Sequence, residues 1–421
     1  MKRALVLSGG GSRGSYEIGA WQALEEIGLR VQMCFGTSIG AINAALFLQG
    51  DLDLAVRLWD NMTAASVVKD AQNEQALQIE RMFNRKRDLL AFLLEHARQL
   101  RMDIAPLEAL LRAHIDEERV RAAGMDFGVV ALKFPSLTPA VRTLRDIPQG
   151  QLIDWLLASS ACFPVFPTRA IDGERYVDGG YYDNLPIDLA LQQGAHEVVA
   201  VDVHPGGTHP EYEKMPFLTA VFPRRDLGNF LEFNPERLRK NRLLGYYDAM
   251  KAFGRFDGVF YTFARLNRLR AVTLGQRFSR LVSAFDAEAV RRGAIHADRY
   301  VAPLCGALTR GVREVRLDWT QTFLRGVELA CTLLGFAQTA IYDLDGLLAR
   351  MLRCLEAEPD AVLNGLDDLI ALEGRSDRHI LACLYNALTL RGAFPGEWVE
   401  EICLFAEHAA AALCLWCARN L

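Results

Sequence analysis

The chain has 421 residues, 51% of them apolar and 24% charged, with 33 glycines and 15 prolines; this excludes collagen-like, mucin-like and disordered classes and supplies a core without disulfide staples. A formal net charge of −5 argues against a dedicated nucleic-acid binder. At about 100–200 residues per domain, the length predicts two or three domains, or one large domain with an appendage.

Residues 4–7 (ALVL) form a short apolar run that reads as a buried strand. Three glycines follow, then a helix over about 15–27 with Ile18, Trp21, Leu24 and Ile27 on one face and Gly28 as its C-cap. A second short strand, 31–35, runs into Gly36-Thr37-Ser38-Ile39-Gly40, and residues 39–48 are apolar all round, as a fully buried helix is. Strand, turn and helix, twice over, open a parallel α/β sheet. Residues 52–123 read as helical and charged, and 127–132 and 140–144 as strands. A helix over 151–159 stops before Pro164 and Pro167; 175–177 is short and extended, 187–193 helical, and 198–203 another buried strand. Residues 206–235, with several Pro and Gly, read as irregular. Helical periodicity dominates from there and is unbroken beyond about Asp318, with amphipathic helices over 320–336, 341–355 and 398–418.

The GxSxG at Gly36-Thr37-Ser38-Ile39-Gly40 lies between a strand and a buried helix. A sharp turn there lifts the serine out of the sheet, flanking glycines allow it, and the helix N-terminus favours an alkoxide or oxyanion. A serine between two glycines also serves as a helix N-cap, but the strand–turn–helix context favours the nucleophile. Gly9-Gly10-Gly11-Ser12-Arg13-Gly14 has two readings. As GxGxxG it is a dinucleotide fingerprint, which needs an acidic residue about 20 positions on to bind ribose; the second strand instead ends in Phe35-Gly36-Thr37-Ser38. Alternatively, its N–H groups face the oxyanion formed when Ser38 attacks an ester, since both loops leave the carboxyl ends of parallel strands.

A serine nucleophile needs a base. Among eight histidines, His204 after the strand 198–203 is the best member for a histidine triad, yet an α/β-hydrolase lays down several strands before its elbow and here one precedes Ser38. The other base is Asp178 in Tyr176-Val177-Asp178-Gly179-Gly180, a strand end meeting two glycines that permit close approach. By itself an Asp-Gly-Gly is a turn.

Jointly and in this order, the glycine loop, the GxSxG and the Asp-Gly-Gly resemble the patatin-like phospholipase family. Residues 157–167 (LASSACFPVFP) are similar to that family's segment before the aspartate, and 181–187 (YYDNLPI) to its continuation. The resemblance is close over about 3–205 and looser to about 300, through Asn234-Pro235 and Gly245-Tyr246-Tyr247-Asp248; it does not reach the C-terminal helices. It implies a three-layer α/β/α domain with a largely parallel central sheet. It also implies a Ser–Asp dyad without histidine: Ser38 the nucleophile, Asp178 the general base, residues 9–14 the oxyanion hole, Gly36 and Gly40 the elbow, Gly179 and Gly180 the motif beside the base. An ordinary aspartate, with a pKa of about 4, is a weak base for a hydroxyl, so partial burial of Asp178 is expected to raise it. The implied activity is hydrolysis of ester-linked fatty acids from phospholipids or lysophospholipids, with no metal or cofactor. A carboxylesterase or thioesterase with the same dyad, and a nucleotide-binding module built on residues 9–14, are the alternatives.

The expected layout is an acyl hydrolase domain over 1–305, with its core at 3–205 and an extension over 206–305, followed by a helical domain over 306–421. Residues 237–280 hold eleven basic residues against Asp248 and Asp257, a balance of +9 that leaves −14 for the rest of the chain. Such a face would draw anionic lipid headgroups and peripheral membrane association; a solvated helical face compensated by acids elsewhere is the other reading. The nine cysteines are odd in number and mostly inside apolar runs, as reduced buried thiols are, and the Cys414/Cys417 spacing has no second pair near it. The apolar segment after Arg3 is too short for a signal peptide, and no run approaches the roughly 18 uninterrupted apolar residues of a membrane span. The expectation is a cytoplasmic protein.

Overall fold

The computed structural model describes residues 1–69, 102–204, 212, 215–294, 302–312, 317–358 and 360–419; the part of the expected charged helical stretch at 70–101 lies outside them. The chain divides into two units, Met1–Phe253 and Gly254–Leu421. In the first, β1 (Arg3–Leu7) leads through a 3₁₀ turn at Gly11–Gly14 into α1 (Ser15–Ile27), and β2 (Met33–Thr37) into α2 (Ile39–Gln49) and α3 (Leu52–Asn61). Helices α4 (Ala105–His114) and α5 (Glu117–Ala122) precede β3 (Asp126–Phe134), β4 (Thr138–Thr143) and α6 (Leu152–Ser159). Then come β5 (Arg169–Ile171), β6 (Glu174–Asp178), α7 (Ile187–Gln192), β7 (Glu197–Val201), β8 (Leu218–Val221) and α8 (Pro235–Ala252).

These strands form one sheet in the order β5-β6-β3-β2-β1-β7-β8, with β4 also paired to β3. From β3 to β8 every pairing is parallel, while β4 and β6 run antiparallel to β3 and β5 antiparallel to β6. Ala4 through Leu7 are buried without exception. Because alternate strand residues face opposite sides, such a strand has protein on both faces, the layered arrangement expected. Ala4 and Val6 pack with Met33, Phe35, Ile187 and Leu189 on one of them.

Register decides which loops meet. Leu7 lies opposite Gly36, so the loops after β1 and β2 leave the same sheet edge side by side. Thr37 lies opposite Val130, and Ala131, the next residue of β3, lies opposite Asp178. Helices α1 and α8 cross so closely that a Cβ on Gly19 would fall 1.8 Å from the Arg242 carbonyl oxygen, and one on Gly245 would fall 1.9 Å from that of Tyr16. The crossing is closed by Tyr16 donating to Asp248 at 2.9 Å and by Arg242 Nη1 donating to Gln22 Oε1 at 2.8 Å. Strand β8 corrects the reading of 206–235 as wholly irregular: a four-residue edge strand flanked by turn residues shows too little alternation to be read.

The second unit holds α9 (Arg268–Arg291), α10 (Pro303–Thr309), α11 (Trp319–Leu333), α12 (Leu344–Glu356), α13 (Leu366–Ile370), α14 (Asp377–Arg391), α15 (Val399–Ile402) and α16 (Ala406–Arg419). It also holds a small sheet of β9 (Phe256–Asp257), β10 (Thr262–Ala264) and β11 (Ile341–Tyr342). The division at Phe253 precedes the boundary expected at 305. The reason is α9: Leu274, Phe278, Val282 and Phe285 share one core with Leu324, Val327, Leu381 and Ala410, so a stretch that reads as basic at its surface belongs, by its apolar stripe, with the C-terminal helices. The helix expected over 341–355 begins later, at Leu344, because Ile341 and Tyr342 pair with β10 and Asp343 caps the helix on Gly346. Its core carries an ion pair: Glu328 accepts from the amides of Val259, Phe260 and Tyr261 at 2.6, 2.8 and 3.1 Å, and from Arg325 at 2.8 Å. By length and composition alone, Gly396–Arg419 is apolar enough to cross a membrane, which a count of uninterrupted apolar runs did not find; half of that window is buried within the unit. Cys34, Cys331, Cys383, Cys414 and Cys417 are buried, whereas Cys305 is exposed.

Candidate active site

Ser38 sits on the corner between β2 and α2 with φ 55° and ψ −126°, a conformation that costs a non-glycine residue about 1–3 kcal/mol. Its neighbours allow the turn and hold it. A Cβ on Gly36 would lie 2.3 Å from the Gly40 carbonyl, and one on Gly40 2.4 Å from the Leu7 carbonyl oxygen, so neither position admits a side chain. The Ser38 amide donates to Ser159 Oγ at 2.8 Å, and Ser159 in turn donates to the Val130 carbonyl at 2.6 Å.

Asp178 ends β6, and its amide donates to the Ala161 carbonyl at 2.9 Å. Its carboxylate accepts from Ser38 Oγ at 2.8 Å through Oδ2 and from the Gly180 amide at 2.7 Å through Oδ1. Burial pushes the Asp178 pKa up to about 6, while the Gly180 amide and the Ser38 hydroxyl pull it the other way. Gly179 is pressed onto β3, where a Cβ would fall 2.1 Å from the Val130 oxygen.

The glycine loop lies against the same serine. A Cβ on Gly9 would be 3.1 Å from Ser38 Cβ. The loop is pinned from two sides. Gly9 donates to the Asn184 carbonyl at 3.0 Å while Asn184 Nδ2 donates to the Gly9 carbonyl at 3.2 Å. Ser12 donates through its amide to Phe230 at 2.7 Å and through Oγ to the Asn229 carbonyl at 2.8 Å, and Arg13 Nε donates to the Gly228 carbonyl at 2.8 Å. At the loop's end, the Gly14 carbonyl accepts from Asn43 of α2 at 3.0 Å. The amides of Gly10 and Gly11 meet no acceptor among the described residues. Gly11 is closed in on its Cβ side, where a Cβ would fall 2.1 Å from the Phe230 carbonyl oxygen.

Residues 5–191, which contain all three motifs, match the patatin-like phospholipase family. They form a patatin-like phospholipase domain. Patatin-like phospholipase domain-containing protein 6 of Homo sapiens is 29% identical over 209 residues, covering 48% of this chain and 13% of that protein. Lysophospholipase NTE1 of Mycosarcoma maydis is 26% identical over 204 residues, covering 48% and 10%. The chain thus spans a small part of the length of the curated relatives it matches. Among solved structures, VipD from Legionella pneumophila is 13% identical with a TM-score of 0.40, covering 99% of this chain and 90% of that one.

In the unit that carries the patatin-like domain, Ser38 and Asp178 open onto a cavity of about 430 Å³. Polar groups gather at their end: the residues 9–11, Asn184 and His204. Most of the rest is apolar, from Ile42 and Leu46 of α2 to Leu107 and Leu111 of α4. His204, the histidine singled out from sequence, is in this wall, but its Nδ1 lies 3.2 Å from Asp202 and 3.3 Å from Asn184, and the Ser38 hydroxyl donates to Asp178 instead. Sequence reasoning missed the roles of Ser159, Asn184 and Asn43. The first two lie inside the stretches LASSACFPVFP and YYDNLPI, so their signal was there as similarity without a mechanism.

Proposed function

We propose that this chain is a serine acyl hydrolase that releases ester-linked fatty acids from phospholipids or lysophospholipids, with Ser38 as nucleophile and Asp178 as general base. The observation that carries the reading is the 2.8 Å hydrogen bond from Ser38 Oγ to a buried carboxylate at the polar end of an apolar cavity. The names of its relatives, a phospholipase domain protein and a lysophospholipase, support the lipid class. With its pKa lifted to about 6, Asp178 is ionised at neutral pH and yet a stronger base than an exposed aspartate. As Ser38 Oγ attacks the ester carbonyl, its proton passes to Asp178 Oδ2. The tetrahedral oxyanion meets the Gly10 and Gly11 amides, aided by the N-terminus of α2. Collapse breaks the bond to the alcohol, which leaves with the proton from Asp178. Water then gives a proton to Asp178 and its oxygen to the acyl carbon, and Ser38 is restored as the fatty acid departs.

The test is fatty-acid release from mixed phospholipid and lysophospholipid vesicles by wild type, Ser38→Ala, Asp178→Asn and His204→Ala. Wild type and His204→Ala are expected to release acid at rates within about tenfold of each other, and the other two to fall by about a thousandfold or more. Equal activity in all four would overturn the dyad; activity confined to soluble esters or thioesters would move the substrate class; loss on His204→Ala alone would favour a histidine base.

Peripheral membrane association through residues 237–280 is a separate proposal, tested by salt-sensitive binding to anionic vesicles. Arg237, Arg242, Lys251 and Arg270 already pair with Glu232, Asp60, Asp248 and Asp345, which favours the charge-compensated reading of that stretch.

A further inference from the structure

The cavity is built as two parts. One end carries the hydroxyl, the carboxylate and the free amides. The apolar arm of the lining is made of Ile39, Ile42 and Leu46 of α2 and Leu107 and Leu111 of α4, together with Leu58 and Trp59 of α3. The α2 and α4 positions repeat at helical spacing, so each set is one continuous stripe. At 1.5 Å of rise per residue, Leu46 lies about 10 Å beyond Ile39, which adjoins the serine. Beyond Leu46 the helix ends are joined. Gln49, the last residue of α2, donates through Nε2 to the carbonyl of His114 at 3.0 Å and accepts through Oε1 from the Asp116 amide at 2.9 Å. Arg119 donates to the Gln49 carbonyl at 2.9 Å. The C-terminal ends of α2 and α4 are thus fastened together, with Leu46, Leu111 and Ile115 buried beside the fastening.

We propose that this arm receives one unbranched acyl chain and that Leu46 and Leu111 set the longest chain it accepts; the proposal rests on the acyl-hydrolase reading above. A volume of about 430 Å³ lies low in the range of roughly 300–1,000 Å³ that a single small ligand occupies, which suits one chain and not two side by side. An apolar wall ending at a fixed floor rewards each methylene until the floor is reached and then penalises the next. The head group and any second chain stay at the polar mouth.

The experiment compares wild type, Leu46→Phe, Leu111→Phe and Leu46→Ala on p-nitrophenyl butyrate, octanoate, dodecanoate and hexadecanoate. Wild-type kcat/KM is expected to rise with length and then break. Either phenylalanine, by filling the space of about two methylenes, moves the break to shorter chains and lowers the dodecanoate-to-butyrate ratio about tenfold; Leu46→Ala moves it to longer ones. The same length limit is read without turnover by calorimetric binding of the free fatty acids to Ser38→Ala, with and without Leu46→Phe or Leu46→Ala. Rates that change by one factor at every length, or fatty acids that bind with no length limit or not at all, overturn the proposal. A limit that shifts in the binding assay while no ester is cleaved in a Ser38-dependent way leaves the arm standing and removes the hydrolase reading instead.

Discussion

Asp178→Asn is expected to make the protein more stable at alkaline pH. Burial lifts the Asp178 carboxyl from its ordinary 3.8 to about 6, even though the Gly180 amide and the Ser38 hydroxyl favour the ionised form. A carboxyl whose pKa is raised on folding holds more protons in the folded chain than in the unfolded one between those two values. Its contribution to stability is therefore greatest below 3.8, falls as pH rises through the window, and is level again above about 6. A shift of about two units corresponds to about 3 kcal/mol. An asparagine avoids that cost: its oxygen still accepts from Gly180, and its NH₂ faces a Ser38 hydroxyl that then accepts rather than donates. Thermal melts of wild type and variant between about pH 4 and pH 8 read the difference. The variant should melt several degrees higher at the alkaline end, with the gap closing toward the acid end. A variant that melts lower at pH 8, or a gap that does not change with pH, would refute the idea of an ionised carboxylate held in a dry site. The same ionisation predicts that wild-type ester hydrolysis rises with pH to a plateau above about 6.

Ser159→Ala removes the acceptor of the Ser38 amide and the donor to Val130; we expect a loss of about 1–3 kcal/mol in urea unfolding and a fall in kcat larger than the change in KM, because the strained corner relaxes. Glu328→Ala in the second unit strands the buried Arg325 and three amides, and should cost about 3–5 kcal/mol by the same measurement, with Glu328→Gln costing less. Gly245→Ala puts a methyl group 1.9 Å from the Tyr16 carbonyl oxygen, forcing α1 and α8 apart at a cost of roughly 1–3 kcal/mol, visible as a lower melting temperature. An unchanged melt for Gly245→Ala would mean that the two helices do not cross at these glycines.

What could be read from the sequence was what backbone geometry demands of rare residues. Gly36, Gly40 and Gly179 each stand where a Cβ would strike a carbonyl, and such demands leave glycines at fixed offsets from Ser38 and Asp178. Strands buried on both faces write themselves as apolar runs, which is why β1, β2 and β7 were legible to within a few residues. The cavity wall was not, because Ile42, Leu46 and Leu111 in it are the same residue types, at the same spacing, as in a closed core. Nor was the end of the first unit: the basic residues of α9 dominate its composition, while its fate is decided by Leu274, Phe278 and Phe285 sharing a core with Leu324, Val327, Leu381 and Ala410 of later helices.

The two groups at the centre of the site are both held against their own preferences, Ser38 in a backbone conformation it does not favour and Asp178 as a charge out of water. The Ser38 corner is held by a bond from its amide to Ser159, and the Asp178 charge is offset by the Gly180 amide and the Ser38 hydroxyl. Ser159 takes the Ser38 amide, Ala161 the Asp178 amide, and Asn184 braces the glycine loop that faces them. Ser159 ends α6, Ala161 follows in the loop between α6 and β5, and Asn184 lies between β6 and α7, so the chain from 157 to 187 acts as the brace for Ser38, more than a hundred positions earlier. That explains why these stretches carry similarity to the family although neither contains a reacting group. It also separates two failures that an activity assay alone would merge. On the proposed mechanism, loss of Asp178 removes the base and relieves a cost, so the expected outcome is a protein that is inactive and firmer. Loss of Ser159 removes the brace and leaves the cost in place, so the protein becomes slower and weaker. Opposite signs in stability, for two substitutions that both lower the rate, are what the geometry demands.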